Sequence, residues 1–315
     1  MKKTYILLAG ILVLVSAVAL YSLFLADYGQ SGPLPATQGS AGTEFDIMTD
    51  FPAPTDTSYP VYGTDVPAVT VQSVELIAGL FGMTGKAGVC DQKTGEIQIV
   101  DDSKENVSRL SMYPASGALL YEIPDKEYPD AVREQPVLPS REEAIQIAGA
   151  FLKEWGLLPP EAKVSAVEGN QQQEVWKAGG TEPEKVYNIT LAVRYARALD
   201  GVPVYGDEMA VVIGDGGEVV GMVKCWRQVE ATGKTTIISA EKAYENLKAE
   251  KTVLPQDMAG YDRISIENIS LGYWMQPRIS EQKTVTPVWA FSGTAYYDGK
   301  EEPYLNYMSA VPEGA

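Results

Sequence analysis

Residues 187–229 read YNITLAVRYARALDGVPVYGDEMAVVIGDGGEVVGMVKCWRQV. Tyr187, Ile189, Leu191, Val193 and Tyr195 alternate with Asn188, Thr190 and Arg194, the period of two that marks a half-buried strand. Leu199-Asp200-Gly201-Val202-Pro203-Val204-Tyr205-Gly206 then reads as a turn followed by a short extended piece. A second hairpin, Met209–Ile213 and Glu218–Val229, is joined through Gly214-Asp215-Gly216-Gly217, whose glycines accept the positive φ of tight hairpin turns. This stretch is a sheet-forming centre, and the rest of the chain is arranged around it.

Moving outward, the next strong signals are two helix starts. Ser140-Arg141-Glu142-Glu143 is a capping box, in which serine and glutamate each satisfy the other's backbone N–H. The helix behind it carries Ala144, Ile147, Ala148, Phe151 and Trp155 on one face and stops at Gly156 and Pro159. Ser239-Ala240-Glu241-Lys242-Ala243 opens another helix, running to about Glu250, with the same Ser-x-Glu-x-Ala pattern. Both precede strands, the second followed by 264–274, 284–292 and 304–310. The pairing predicts an internal repeat of helix-then-antiparallel-sheet units. Pro287 is expected at an edge strand or bulge, and Asp298-Gly299 at a hairpin turn. Earlier, Val71, Val74, Ile77, Ala78 and Phe81 give an amphipathic helix, and strands are expected at 96–100, 107–113 and 118–123, before a proline-bearing connection over 124–139.

The N-terminal end reads differently. Lys2-Lys3 precedes an uncharged run through Leu25, and about 21 helical residues span about 31 Å, enough to cross a bilayer. Ala17-Val18-Ala19 resembles a signal cleavage site, but the apolar residues continue past it, which favours an uncleaved anchor. The next basic residue after Lys3 is Lys86, with seven acidic residues between Asp27 and Glu75, so the N-terminus is expected inside and the bulk outside the cytoplasm, in a single-pass arrangement. The expected organisation is an anchor over 1–26, a disordered Pro/Gly/Ser/Thr stalk over 27–59, an N-terminal α+β unit over 60–137, and two further units over 138–235 and 236–315. The expected fold class is α+β, in tandem.

Composition excludes more than it names. The 315 residues include 25 basic and 42 acidic ones, a net charge of −17, and no histidine. An acidic surface repels phosphate backbones, so nucleic acid is excluded as a partner, and cationic peptides or metal ions suit it better. Without histidine there is no Ser-His-Asp or Cys-His catalysis and no imidazole metal ligand. Cys90 and Cys225 are either two buried thiols or one disulfide of an extracytoplasmic protein, the former favoured. Asp200, Asp207 and Glu208 form a carboxylate cluster, read as turn chemistry at Asp200 and solvated charge at the other two. Asp101–Asn106 has acidic character but lacks calcium-loop spacing. Asn106, Asn188 and Asn268 head glycosylation sequons. Trp226, Trp274 and Trp289, with Tyr195, Tyr205, Tyr273, Tyr296 and Tyr297, are core or cross-strand aromatics or else line a peptide groove.

The segment Arg197–Gly206, the valine-rich strand behind it, Gly216-Gly217-Glu218-Val219 and the helix opening Ile238–Ala243 together resemble PepSY-type domains. The tail, Thr286–Phe291 and Tyr304–Ala310, is similar to the C-terminal end of the extracytoplasmic YycH/YycI regulators of a sensor histidine kinase. The resemblance covers roughly residues 138–311 and rests on Gly, Pro, Trp and apolar positions. It implies small cystatin-like units that inhibit, chaperone or regulate, with a sensor kinase or secreted peptidase as partner and no catalytic residue or cofactor. The function expected is a membrane-anchored, non-catalytic binding module, with Asp200, Pro203, Tyr205, Trp226 and Trp289 as its partner-binding group and the Pro203 strand as an open sheet edge. The alternatives are a carboxylate-only hydrolase and a passive acidic surface protein.

Overall fold

The computed structural model describes residues 43–65, 68–249 and 260–312. The expected membrane anchor and the first part of the stalk lie outside the described residues. Among the described residues no helix is long and apolar enough to cross a membrane. The chain divides into two compact units, one built from residues 68–196 and 208–225, the other from 43–65, 197–207, 226–249 and 260–312.

The first unit is one eight-stranded antiparallel sheet. Its spatial order is β3 (Gly88–Val89), β4 (Ile97–Asp101), β5 (Ser108–Tyr113), β6 (Ala118–Glu122), β12 (Val219–Cys225), β11 (Glu208–Ile213), β8 (Lys185–Ala196) and β7 (Lys163–Val175). Helix α1 (Val71–Leu80) starts at a Thr70/Ser73 capping box and buries Val74 and Ala78. Helix α3 (Arg141–Glu154) starts at the Ser140/Glu143 box and lies on the sheet through Ala144, Ala148 and Leu152. The two alanines let the helix backbone come close to the strands, and Leu152 fills what is left. Phe151 and Trp155 are half-buried, and both meet Phe81, whose ring stacks on Trp155 at 5.6 Å and sits 4.7 Å from Tyr121. A short turn of helix, α2 (Pro124–Glu127), sits against β12.

The second unit is centred on β14 (Arg263–Trp274). It pairs antiparallel along its length with β16 (Pro287–Tyr297), which pairs in turn with β17 (Lys300–Ser309). Asp298 and Gly299 both have positive φ, 48° and 72°, so the hairpin turn expected there takes the type I′ form. On the other side of β14 lie two short parallel strands, β1 (Glu44–Ile47) and β10 (Val202–Tyr205), and β10 carries the two-residue β9 (Ala198–Leu199). Helix α4 (Ala240–Lys248) packs Ala243, Tyr244 and Leu247 into a core with Ile264, Ile266, Trp289 and Phe291. A three-stranded sheet, β13 (Val229–Thr236), β2 (Ser58–Thr64) and β15 (Thr284–Val285), completes the unit. Pro287 is the first residue of β16, where the chain changes from one sheet to the other, so its missing N–H removes no internal ladder bond.

This architecture corrects the fold class. The described residues are mostly β, 45% strand against 16% helix, and are not a tandem of helix-plus-sheet units. The expected boundary at 137/138 falls inside a sheet, because β6 pairs with β12. The interval 138–235 is divided, since β9, β10 and β13 belong to the second unit. The Ser-x-Glu-x-Ala pattern that suggested a repeat encodes a local event: Ser140 and Ser239 each accept a backbone N–H three residues on. The stalk reading also extends too far, because β1 lies within it and Phe45 and Phe51 pack on the Tyr244 ring.

Cys90 and Cys225 are not joined by a disulfide. Cys90 follows β3 at one end of the eight-stranded sheet, and Cys225 ends β12, four strands away. At about 4.8 Å per strand that is about 19 Å, against the ~5.5 Å between Cα atoms that a disulfide spans. Cys225 is buried beside Tyr113 and Ala118, whereas Cys90 is exposed, contrary to the paired-burial reading.

Leu152→Ala is expected to cost about 2–5 kcal/mol in urea unfolding, because the site is sealed on all sides. Leu76→Ala, on the solvent side of α1 and 75% exposed, is expected to cost less than about 0.5 kcal/mol.

Candidate functional site

The chain leaves the eight-stranded sheet at Ala196 and re-enters it at Glu208, the first residue of β11. The excursion between them, residues 197–207, belongs to the second unit, and its first and last residues are joined by an ion pair. Arg197 Nε donates to Asp207 Oδ2 at 2.6 Å and Arg197 Nη2 to Asp207 Oδ1 at 3.3 Å, with both side chains almost fully buried. A planar guanidinium meets a carboxylate in this two-point fashion with high directional specificity. Arg197 also stacks 4.8 Å over the Trp226 ring and donates to the Arg227 carbonyl. Arg227 in turn donates to the carbonyls of Gln276, Pro277 and Ser280, so one arginine organises the next loop.

Between these anchors stands the β9–β10 hairpin. Asp200 (φ 50°) and Gly201 (φ 82°) make its type I′ turn, which an Asp-Gly pair adopts at little cost. The Asp200 carboxylate accepts from the Tyr62 hydroxyl at 2.8 Å. Burial, reinforced by that bond to Asp200, raises the Tyr62 phenol pKa, and burial pushes the Tyr273 phenol beside it up to about 12. Tyr205 donates to or accepts from Ser270 at 2.8 Å and packs on Tyr307. Its ring lies over Gly272, where a Cβ would collide with it. Ala198, Asp200, Gly201 and Pro203 remain exposed at the tip.

The structure thus brings Asp200, Pro203, Tyr205 and Trp226 into one neighbourhood, but Trp289 lies in the α4 core with its indole N–H on the Ile238 carbonyl. Tyr205 and Trp226 are packing residues, and neither lines an open groove. Asp207, expected to be solvated, is the buried acid of the ion pair. The Pro203 strand is not an open edge, because β10 has β14 on one side and β9 on the other. The real edge at the far side of that sheet is blunted. Along β17, alternate N–H groups face away from β16; Pro303 has none, and Tyr307 gives its own to Asn306 Oδ1 at 2.7 Å.

Arg197 and Arg227 are the residues that sequence reading passed over. The available signal was an arginine placed directly before an Asp-Gly hairpin, with an aspartate just after it. Glu127 was also missed. Its carboxyl, buried under α2, is pushed up to about 7 by burial, which outweighs the hydrogen bonds from Tyr128 and Asn170 that favour the charged form, with Glu122 adding to the rise. Asp101, considered for calcium, is instead the acceptor of a local turn. Ser103 and Thr84 donate to it through both backbone and hydroxyl groups, which hold its pKa low. Among the described residues no group of three or more Cys, Asp or Glu side chains is placed to hold a metal ion. Of the sequon asparagines, Asn188 and Asn268 are exposed on strands and Asn106 is half-buried.

No protein-family model matches the chain, and no curated protein matches it. Among solved structures, an uncharacterized protein from Eubacterium rectale is similar at 14% identity, covering 87% of this chain and 88% of that one, with a TM-score of 0.39.

Removing one partner of the buried pair leaves an uncompensated charge. Arg197→Met and Asp207→Asn are each expected to cost about 3–5 kcal/mol in chemical denaturation. The Arg197→Met/Asp207→Leu double variant should lose clearly less than the two single losses added together, because neither charge is then stranded.

Proposed function

We propose that this protein is a non-catalytic binding module, held outside the cytoplasm by its N-terminal segment, that engages a protein partner with the β9–β10 hairpin. The observation that carries this reading is the bracing of an exposed tip by a buried bidentate ion pair. Recognition loops work when a rigid support spares them the entropy of ordering on contact. The tip offers Ala198, Asp200, Gly201 and Pro203, a surface suited to contact with a protein rather than to bond chemistry. The carboxylates nearby are committed to Arg197 and Tyr62, and the chain has no histidine to serve as a base. A net charge of −17 favours a partner with a basic docking surface and speeds encounter with it. The resemblance to YycH/YycI regulators adds a membrane-bound sensor kinase as a candidate of that kind.

A photoreactive residue at Ala198, with one at exposed Gln146 on α3 as the comparison, tests this in intact cells. A discrete adduct at Ala198 alone, weakened by salt, is the expected result. The same diffuse pattern at both positions would leave the hairpin without a partner.

A further inference from the structure

After β6 the chain folds over the sheet face opposite α3. The register establishes the face: Gly221, Val212, Ala192 and Glu122 are cross-strand neighbours on one side, while Tyr121, which reaches the Phe81 cluster of α3, is on the other. Helix α2 presses Glu127 onto this face so closely that a Cβ on Gly221 would lie 2.7 Å from Oε2. Asn170 on β7 donates to Oε1 at 3.4 Å and also to Thr190 on β8. Only 7% of Glu127 is exposed.

Among the described residues no cation answers this carboxyl. Lys126, its neighbour on α2, donates to both oxygens of Glu218 at 2.6 Å. Arg109 on β5 is bonded to Glu122, and Arg194 on β8 to Glu168. Lys224 on β12 projects from the other face, being in register with Leu119 rather than with Glu122. Asp125, Asp130, Arg133 and Glu134 are exposed on the strap itself. Every cation facing Glu127 is therefore already committed to another acid.

The segment that follows, 128–139, is held by neutral groups almost throughout. Gln173 accepts from Val132 N and donates to the carbonyls of Pro129 and Asp130. Tyr187 donates to the Arg133 carbonyl. Gln135 bonds the backbone N–H and C=O of Asn188, a stretch of β8 that extends beyond its pairing with β11. Asp215, which accepts from Val137 N, is the single charged clamp among the described residues.

We propose that Glu127 is a proton-operated latch: neutral, it seats the 124–139 strap on the sheet, and ionised, it drives the strap away. The direction follows from burial. A carboxyl whose pKa rises from 4.5 to about 7 on closing holds its proton more tightly in the closed form. Closure is then fully favoured below about 4.5, weakens as pH rises to about 7, and stays weak above that. Released, the strap uncovers Asn170, Thr190 and Gly221 and the small-residue face around them.

Hydrogen exchange of the full chain between pH 5 and 9, corrected for intrinsic rates, reads the opening of residues 124–139 against β5. The wild-type opening constant is expected to rise about tenfold per pH unit up to about 7 and then level off, while β5 stays flat. Glu127→Gln, neutral and of the same shape, should remove the slope and keep the strap closed throughout. Glu122→Gln, which removes a repelling acid and frees Arg109, should bring the plateau to lower pH. A flat wild-type profile, or an unchanged slope in Glu127→Gln, would overturn the latch.

Discussion

The bidentate pair between Arg197 and Asp207 is the interaction on which the second unit's most distinctive feature depends. Taking both charges out of water costs several kcal/mol each, and the contact returns that only through good geometry and further hydrogen bonds. Those conditions are met: two N–H···O contacts, the Trp226 ring face, and the Arg227 carbonyl surround one guanidinium. The consequence is positional. A chain that leaves one sheet at Ala196 and rejoins it at Glu208 has its excursion tied at both ends, so the Asp200–Gly201 tip is set by buried groups rather than by its own few contacts.

The remaining polar architecture follows the same economy. Arg227 gathers three carbonyls of the 276–280 loop, and Gln282 bonds Gln276 N and the Trp274 and Thr284 carbonyls beside it. Gln135 satisfies the backbone of Asn188 on the side where β8 runs past the end of β11. In each case a side chain satisfies a backbone group that has no ladder partner on that side. Glu127 differs: unlike Asp101, whose Ser103 and Thr84 donors hold its pKa low, it is a buried acid whose pKa burial raises, and for that reason it responds to pH.

Local chemistry was legible in the sequence, while long-range pairing was not. Capping boxes at Ser140 and helix alternation at Ala144 and Ala148 were read correctly, as were the Asp298-Gly299 and Gly214–Gly217 turns. These depend on neighbours within a few residues. The tandem reading failed because β6 pairs with β12, β2 with β13 and β1 with β14, partners about 100 to 200 residues apart that no periodicity announces. The alternation at 187–196 also understated burial: Thr190 and Ala192, on the side read as polar, are both sealed. Asp200 was legible as a turn residue, but Asp207 was not legible as a buried acid, since its partner stands ten positions earlier and its environment is assembled from Trp226 and Arg227.

Native-state hydrogen exchange at two amides tests the central claim most directly. Val204 N bonds the Arg197 carbonyl across the hairpin, and Met275 N bonds the Tyr205 carbonyl, fastening the hairpin to the strand beside it. In Asp207→Asn the account predicts that both amides lose protection by an order of magnitude or more, while Val211 in β11 keeps its own. Unchanged protection at Val204 and Met275 in that variant would contradict it.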